Sequence, residues 1–248
     1  MSSAEPFVRL VNLTKRHKHG AVVDAVSLDI ACGEFMVLLG GSGSGKTTLL
    51  RLIAGLEVAE KGQVWIEGVL VAENGRTLIA PHKRRIGFVF QDLALWPHLT
   101  IAESIAFVLS ASDLPERARK ERIREVLKLA RIERFGDRYP HQLSGGEQQR
   151  AAISRAIAAE PHLLLLDEPM SSLDVDLKQE LRDELANLQS QLGLTTVYVT
   201  HDRTEIMSVA HRVASMRHGK LEAVGEVEPI TQSDAERLST KHGSPTHL

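Results

Sequence analysis

Cysteine is almost missing from this chain. The single residue, Cys32, leaves nothing to form a disulfide framework or a cysteine metal site, which fits a reducing cytosol. Excess charge is missing too: the formal net charge is −2, and no basic balance points to a nucleic-acid partner. No apolar run approaches the roughly 18 residues that a membrane-spanning helix needs. The chain therefore reads as soluble, and any membrane role must come through a partner. Residues Met1 to Pro6 lack the basic and apolar regions of a signal peptide. No internal repeat is found. What is present is 43% hydrophobic residues over 248 positions. That suffices for one large α/β domain or two small ones, with a core that needs no disulfides.

Patterning divides the chain into three stretches. Phe7–Val11, Ala25–Ile30, Phe35–Leu39, Gln63–Ile66 and Ile86–Phe90 read as strands. From Ser104 to Ala159 the pattern turns helical, with Ile123, Val126, Leu127 and Ala130 on one face. Leu163–Leu166 is a continuous apolar run, as expected of a strand covered on both faces. Leu177, Leu181, Leu185, Leu188 and Leu192 recur at helical spacing, and Gly193 stops that helix. Thr196–Thr200 is another buried strand. The expected fold class is α/β, interrupted by a helical insert near residues 92–160, with a parallel sheet resuming after it. The expected domain is 1–228, followed by a short polar tail, 229–248.

The chemistry begins at Gly40-Gly41-Ser42-Gly43-Ser44-Gly45-Lys46-Thr47, which fits G-x-x-x-x-G-K-[ST]. It follows an apolar strand and precedes an apolar helix opening at Thr48 and Leu49, the context a phosphate-binding loop requires. Glycines let backbone N–H groups turn inward around a polyphosphate, and the helix start adds partial positive charge. Lys46 can neutralise β- and γ-phosphate oxygens, and the Thr47 hydroxyl can sit on Mg²⁺. Asp167-Glu168-Pro169 ends the Leu163–Leu166 strand, where open α/β sheets place ligand groups. Asp167 can hold Mg²⁺, and Glu168 is then free to act as general base on a water. Taken alone the three residues would equally make an ordinary acidic turn. Gln91 and His201 also close strands. An amide at Gln91 can reach both metal and water, and an imidazole at His201 can hydrogen-bond a γ-phosphate. The other histidines, including His82, His98 and His218, read mostly as surface residues.

Leu143-Ser144-Gly145-Gly146-Glu147-Gln148 is a second signal. Ser144 and Glu147 form the S-x-x-E capping pattern. The two glycines lower helix propensity by about 1 kcal/mol each. They expose backbone N–H groups, so this helix start too can receive an anion.

These motifs, in this order, resemble those of the nucleotide-binding subunits of ABC transporters. The resemblance covers nearly all of residues 7–226. Its elements are Gly40–Thr47 (Walker A), Gln91 (Q-loop), Leu143–Gln148 (signature), Leu163–Glu168 (Walker B), Ser171-Ser172-Leu173-Asp174 (D-loop) and His201 (H-loop). It implies a P-loop ATPase with a RecA-like core, an antiparallel β-subdomain and a helical subdomain. It implies ATP and Mg²⁺, and two subunits facing head to tail. Each ATP then lies between Walker A of one copy and Ser144, Gly145, Gly146 and Glu147 of the other. Gln91–Thr100 and Arg138–Gln142 look like the corresponding segments of importers for sugars, polyamines, ferric iron and sulfate. In those proteins the insert receives two permease chains, here near Leu93–Trp96, and an extracytoplasmic solute-binding protein delivers the solute. The implied location is the cytoplasmic face of the inner membrane, without nucleic acid. Exporter ATPases differ mainly in the segment around Trp96. Non-transport members usually carry coiled-coil inserts, zinc cysteines or tandem domains, and none is seen here.

Three positions depart from the family. Glu147 stands where glutamine is usual. The adenine-stacking aromatic is replaced by His17, with His19 close by. The C-terminal regulatory β-domain of about a hundred residues has no counterpart in 229–248, which is too short to fold alone.

Overall fold

A computed structural model of the chain describes residues 5–17, 20–205 and 210–227. His19 and the expected tail lie outside these residues. Among them the chain forms, in order, β1 (Val8–His17), β2 (Gly20–Ile30), β3 (Phe35–Leu39), α1 (Lys46–Ala54), β4 (Lys61–Ile66), β5 (Val69–Glu73), β6 (Arg76–Thr77) and β7 (Ile86–Val89). There follow α2 (Ile101–Leu109), α3 (Glu116–Leu129), α4 (Gly145–Ile157), β8 (Leu163–Asp167), α5 (Val175–Leu192), β9 (Thr195–Thr200), β10 (Arg212–Arg217) and β11 (Lys220–Glu226).

The strands form two sheets. One is antiparallel with order β2-β1-β4-β5-β6, and the other has order β11-β10-β3-β9-β8-β7. In the second sheet β10, β3, β9, β8 and β7 run parallel, and only β11 is antiparallel. All four strands that end at a predicted functional residue are therefore neighbours pointing the same way. Their carboxyl ends bring Gly40, Gln91, Glu168 and His201 to one edge, where open parallel sheets bind ligands.

The continuous apolar runs divide by period two, as strand geometry requires. Met36 and Leu38 of β3, Leu163 and Leu165 of β8, and Val197 and Val199 of β9 face one core. There they meet Leu49, Leu50, Leu52 and Ile53 of α1 and the inner side of the antiparallel sheet. Phe35, Val37, Leu164, Leu166 and Tyr198 face the other core, shared with α2 to α5.

The helical insert is present as expected, with its face of Ile123, Val126, Leu127 and Ala130 on the second core. Its first helix starts earlier than periodicity suggested, at Ile101. Thr100 and Glu103 form a capping box there that fixes the start. Gly193 closes α5 in a left-handed conformation, φ 62°. The first two strands are longer than predicted. Register shifts between Leu10, Leu13 and Lys15 interrupt the alternation that would have revealed their full length.

Candidate active site

The loop from Gly40 to Gly45 is held by close backbone approach. A Cβ on Gly45, at φ 102°, would collide with the Val22 carbonyl oxygen, so only glycine fits. Lys46 follows as the first residue of α1 and is 4% exposed. Its ammonium folds back over the loop and donates to the carbonyls of Gly40 (2.7 Å) and Gly41 (3.0 Å). Burial pushes its pKa below the ordinary lysine value, while Glu168 and Asp167 act in the opposite direction.

Thr47 Oγ1 donates to Asp167 Oδ1 at 2.8 Å, which ties α1 to the end of β8. Asp167 is 2% exposed, and burial raises its pKa; the Thr47 bond and the Arg51 and Lys46 charges partly offset this. Glu168, the next residue, takes φ 44°. A left-handed conformation costs a non-glycine residue of order 1 kcal/mol. It is held here by Glu168 N–H donating to Val199 O and by Ser171 N–H donating to Glu168 O. The turn sends the Glu168 carboxylate away from the core. One oxygen lies 3.0 Å from His201 Nδ1 and the other 3.9 Å from Lys46 Nζ. Because a carboxylate only accepts, His201 Nδ1 is the protonated nitrogen in this contact.

Gly41 to Thr48, Gln91, Glu168, His201 and Val22 line one cavity of about 540 Å³. The structure thus brings together the predicted loop, Gln91, Glu168 and His201, with Asp167 behind Thr47. Val22 was not anticipated: a lone valine in a strand carries no sequence signal. His17 is not among the lining residues. It sits on the same β-hairpin as Val22, 52% exposed, with Nε2 3.9 Å from Glu57. His82, His98 and His218 are exposed, as expected.

The signature residues do not line this cavity either. Ser144 and Glu147 complete the capping box at the start of α4, where Ser144 N–H donates to Glu147 Oε2 at 2.8 Å. That bond holds the Glu147 carboxyl below its usual pKa. The two glycines also have a packing role that sequence did not reveal. A Cβ on Gly146 would sit 2.7 Å from Leu177 of α5, and one on Gly145 would sit 3.3 Å from Leu173. The Ser172-Leu173-Asp174 turn and the start of α5, capped by Asp174, therefore pack directly on the start of α4.

Leu93 and Leu95 pack half-buried against the second core rather than forming an open apolar cluster. The exposed apolar group nearby is Phe107, 60% exposed, with Trp96 edge-on at 5.0 Å. Trp96, Phe88, Phe90 and Val108 line a separate cavity of about 400 Å³.

The donors around Thr47 and Asp167 are oxygens, with the Gln91 amide on the wall above. Among the described residues no group of three or more His, Cys, Asp or Glu side chains could hold a metal. The set fits a small hard cation completed by ligand phosphates rather than one caged by protein alone.

The family described as ABC transporter matches residues 23–171. The spermidine/putrescine import ATP-binding protein of Chromobacterium violaceum is 45% identical over 223 residues, 90% of this chain and 60% of that protein. This chain thus spans less than two thirds of that relative's length. A probable sulfate/thiosulfate import ATP-binding protein of Chlorella vulgaris is 43% identical over 224 residues, 90% of this chain and 93% of that one. An ATP-binding cassette solved as a dimer in a post-hydrolysis state, with ADP and Pi, superposes with a TM-score of 0.79 at 35% identity. That alignment covers 90% of this chain and 100% of the other.

Proposed function

Because the chain belongs to the ABC transporter family, we propose that it binds and hydrolyses ATP to drive a solute importer. The importer reading rests on relatives that are import ATP-binding proteins for polyamines and sulfate. The observation that carries the chemistry is Glu168, 3.0 Å from His201 and 3.9 Å from Lys46 on one cavity. A general base, its orienting partner and a phosphate-binding cation share that space.

ATP enters with its phosphates in the loop Gly40, Gly41, Ser42, Gly43, Ser44 and Gly45. Lys46 exchanges the Gly40 and Gly41 carbonyls for β- and γ-phosphate oxygens, with Thr47 and Thr48 at the helix start. Thr47, Asp167 and Gln91 would hold Mg²⁺, which would neutralise developing phosphate charge. Glu168 accepts a proton from the attacking water, and His201 fixes that carboxylate while its other nitrogen faces the γ-phosphate. His17 lies against the base.

The site is completed by a second copy. Ser144, Gly145, Gly146 and Glu147 of one chain close on the ATP of the other, and Ser172, Leu173 and Asp174 lie along the joint. A post-hydrolysis dimer among the structural relatives supports this arrangement. The ATPase domain is taken as residues 1–228, with its helical subdomain near 92–160. Two permease chains dock beside Leu93–Trp96, where half-buried Trp96 meets exposed Phe107. A solute-binding protein acts on the far side of the membrane. No helix among the described residues is long and apolar enough to cross a membrane. In this reading the chain is peripheral, attached at the cytoplasmic face of the inner membrane through those permeases.

The test is steady-state hydrolysis by purified protein. Wild type is expected to release phosphate from Mg²⁺-ATP, and Glu168→Gln to keep ATP binding while turnover falls by about 100-fold or more. Native turnover in Glu168→Gln would remove Glu168 from the role of base.

A further inference from the structure

Glu205 is a carboxylate that the proposed chemistry does not use, yet it is 4% exposed. Burying a charge is costly unless it is paired and hydrogen-bonded. Glu205 Oε2 accepts from Tyr198 Oη at 2.8 Å and from Thr200 Oγ1 at 2.7 Å, and its Oε1 lies 3.1 Å from Lys178 Nζ. Tyr198 and Thr200 belong to the end of β9, immediately before His201. Thr200 Oγ1 in turn accepts from Asp202 N–H at 2.9 Å. One chain of bonds thus holds the residues on both sides of His201.

Among the described residues the His201 side chain has no comparable support of its own. It is 57% exposed, and its hydrogen bond is to Glu168. The backbone at residues 200–202 carries the ring; Gly40 N–H donates to Thr200 O on one side, and the Glu205–Thr200–Asp202 bonds hold the turn on the other. Lys178 extends the link, lying near Asp202 (3.7 Å) as well as Glu205. It sits on the first turns of α5, just after the Asp174 cap. A buried ionic cluster is a poor way to add stability, because apolar groups of the same size often do as well or better. Its directional bonds do fix a turn.

We infer that Glu205 is a positioning residue for the hydrolytic reaction, acting through the 200–202 turn to aim His201 at Glu168. The inference rests on the proposed ATPase reading. Glu205→Ala removes the acceptor for two buried hydroxyls. It is expected to lower kcat about 10- to 100-fold, the scale of a displacement near 1 Å, with ATP affinity within about twofold of wild type. Glu205→Gln keeps an acceptor oxygen and recovers part of the loss. Tyr198→Phe, which leaves the carboxylate paired with Thr200 and Lys178, lowers kcat by only a few fold. In a His201→Ala background neither Glu205→Ala nor Tyr198→Phe lowers kcat further.

The imidazole ¹⁵N spectrum supplies a reading that needs no turnover. Wild type is expected to show His201 protonated at Nδ1, and Glu205→Ala to lose that pattern. Losses that multiply with His201→Ala, or an unchanged His201 spectrum in folded Glu205→Ala, would overturn the inference and leave the ATPase reading standing. If Glu205→Ala does not fold, the Tyr198→Phe spectrum and cycle decide in the same way. A wild-type chain that cannot hydrolyse ATP overturns the ATPase reading, and this inference with it.

Discussion

Asp167 and Thr47 meet across a 2.8 Å hydrogen bond in a place that suits a cation better than an empty fold. Burial raises the Asp167 pKa. A raised carboxyl pKa means that the native state prefers the neutral form. Its contribution to stability is full below the ordinary Asp value and is lost as pH rises through the folded value. At neutral pH the buried charge therefore works against the fold. Asp167→Asn keeps an oxygen for Thr47 and removes that charge. It is expected to raise the melting temperature of the nucleotide-free protein at pH 7, with the gain shrinking as pH falls through the raised folded value and gone below the ordinary Asp value. Thermal melts across pH check this; a lower melting temperature at pH 7 would contradict it. His17 yields a second expectation. An imidazole stacks with less area than a phenol ring, so His17→Tyr should tighten ATP binding severalfold by titration calorimetry. Unchanged affinity would remove His17 from the base site. The candidate site residues were legible because each closes an apolar strand or opens an apolar helix. Val22 and Glu205 were not, since their roles depend on contacts across the fold.

At the level of elements, the start of α4 separates what sequence reveals from what packing adds. The capping pattern of Ser144 and Glu147 is local and could be read directly. The reason for Gly146 is not local, because it lies in Leu177 of α5. Gly146→Ala forces a Cβ to 2.7 Å from that side chain. Such overpacking costs about 1–3 kcal/mol, or roughly 2–12 °C in melting temperature for a domain of this size. A Cβ on Gly41, by contrast, would meet nothing within 4 Å. Gly41→Ala should melt within about a degree of wild type. A Gly146→Ala variant that melts at or above wild type, measured by calorimetry, would show that helix propensity rather than packing decides at that position. The hairpins β5–β6 and β10–β11 escaped the sequence reading for a related reason. β11 is exposed at nearly every position, and β6 is two residues long, so neither carries an apolar alternation to detect.

For the whole molecule, the parallel order β10-β3-β9-β8-β7 gathers four strand ends into one edge, and two cores hold that sheet from either face. That much follows from alternating strands and helices, and the α/β fold with a helical insert was legible in the sequence. The antiparallel sheet was only partly so, because bulges and short strands blur its period. The signature residues stand outside the cavity of about 540 Å³ that the other motifs line. A site composed from two copies accounts for both halves of that arrangement. The most direct test is the mass of purified Glu168→Gln in solution by light scattering after gel filtration, with Mg²⁺-ATP and with Mg²⁺-ADP. A dimer of about twice the 27.3 kDa chain mass is expected with ATP. It should be a monomer with ADP, and Ser144→Arg should abolish the ATP dimer. A protein that binds ATP and remains a monomer would contradict the composite site.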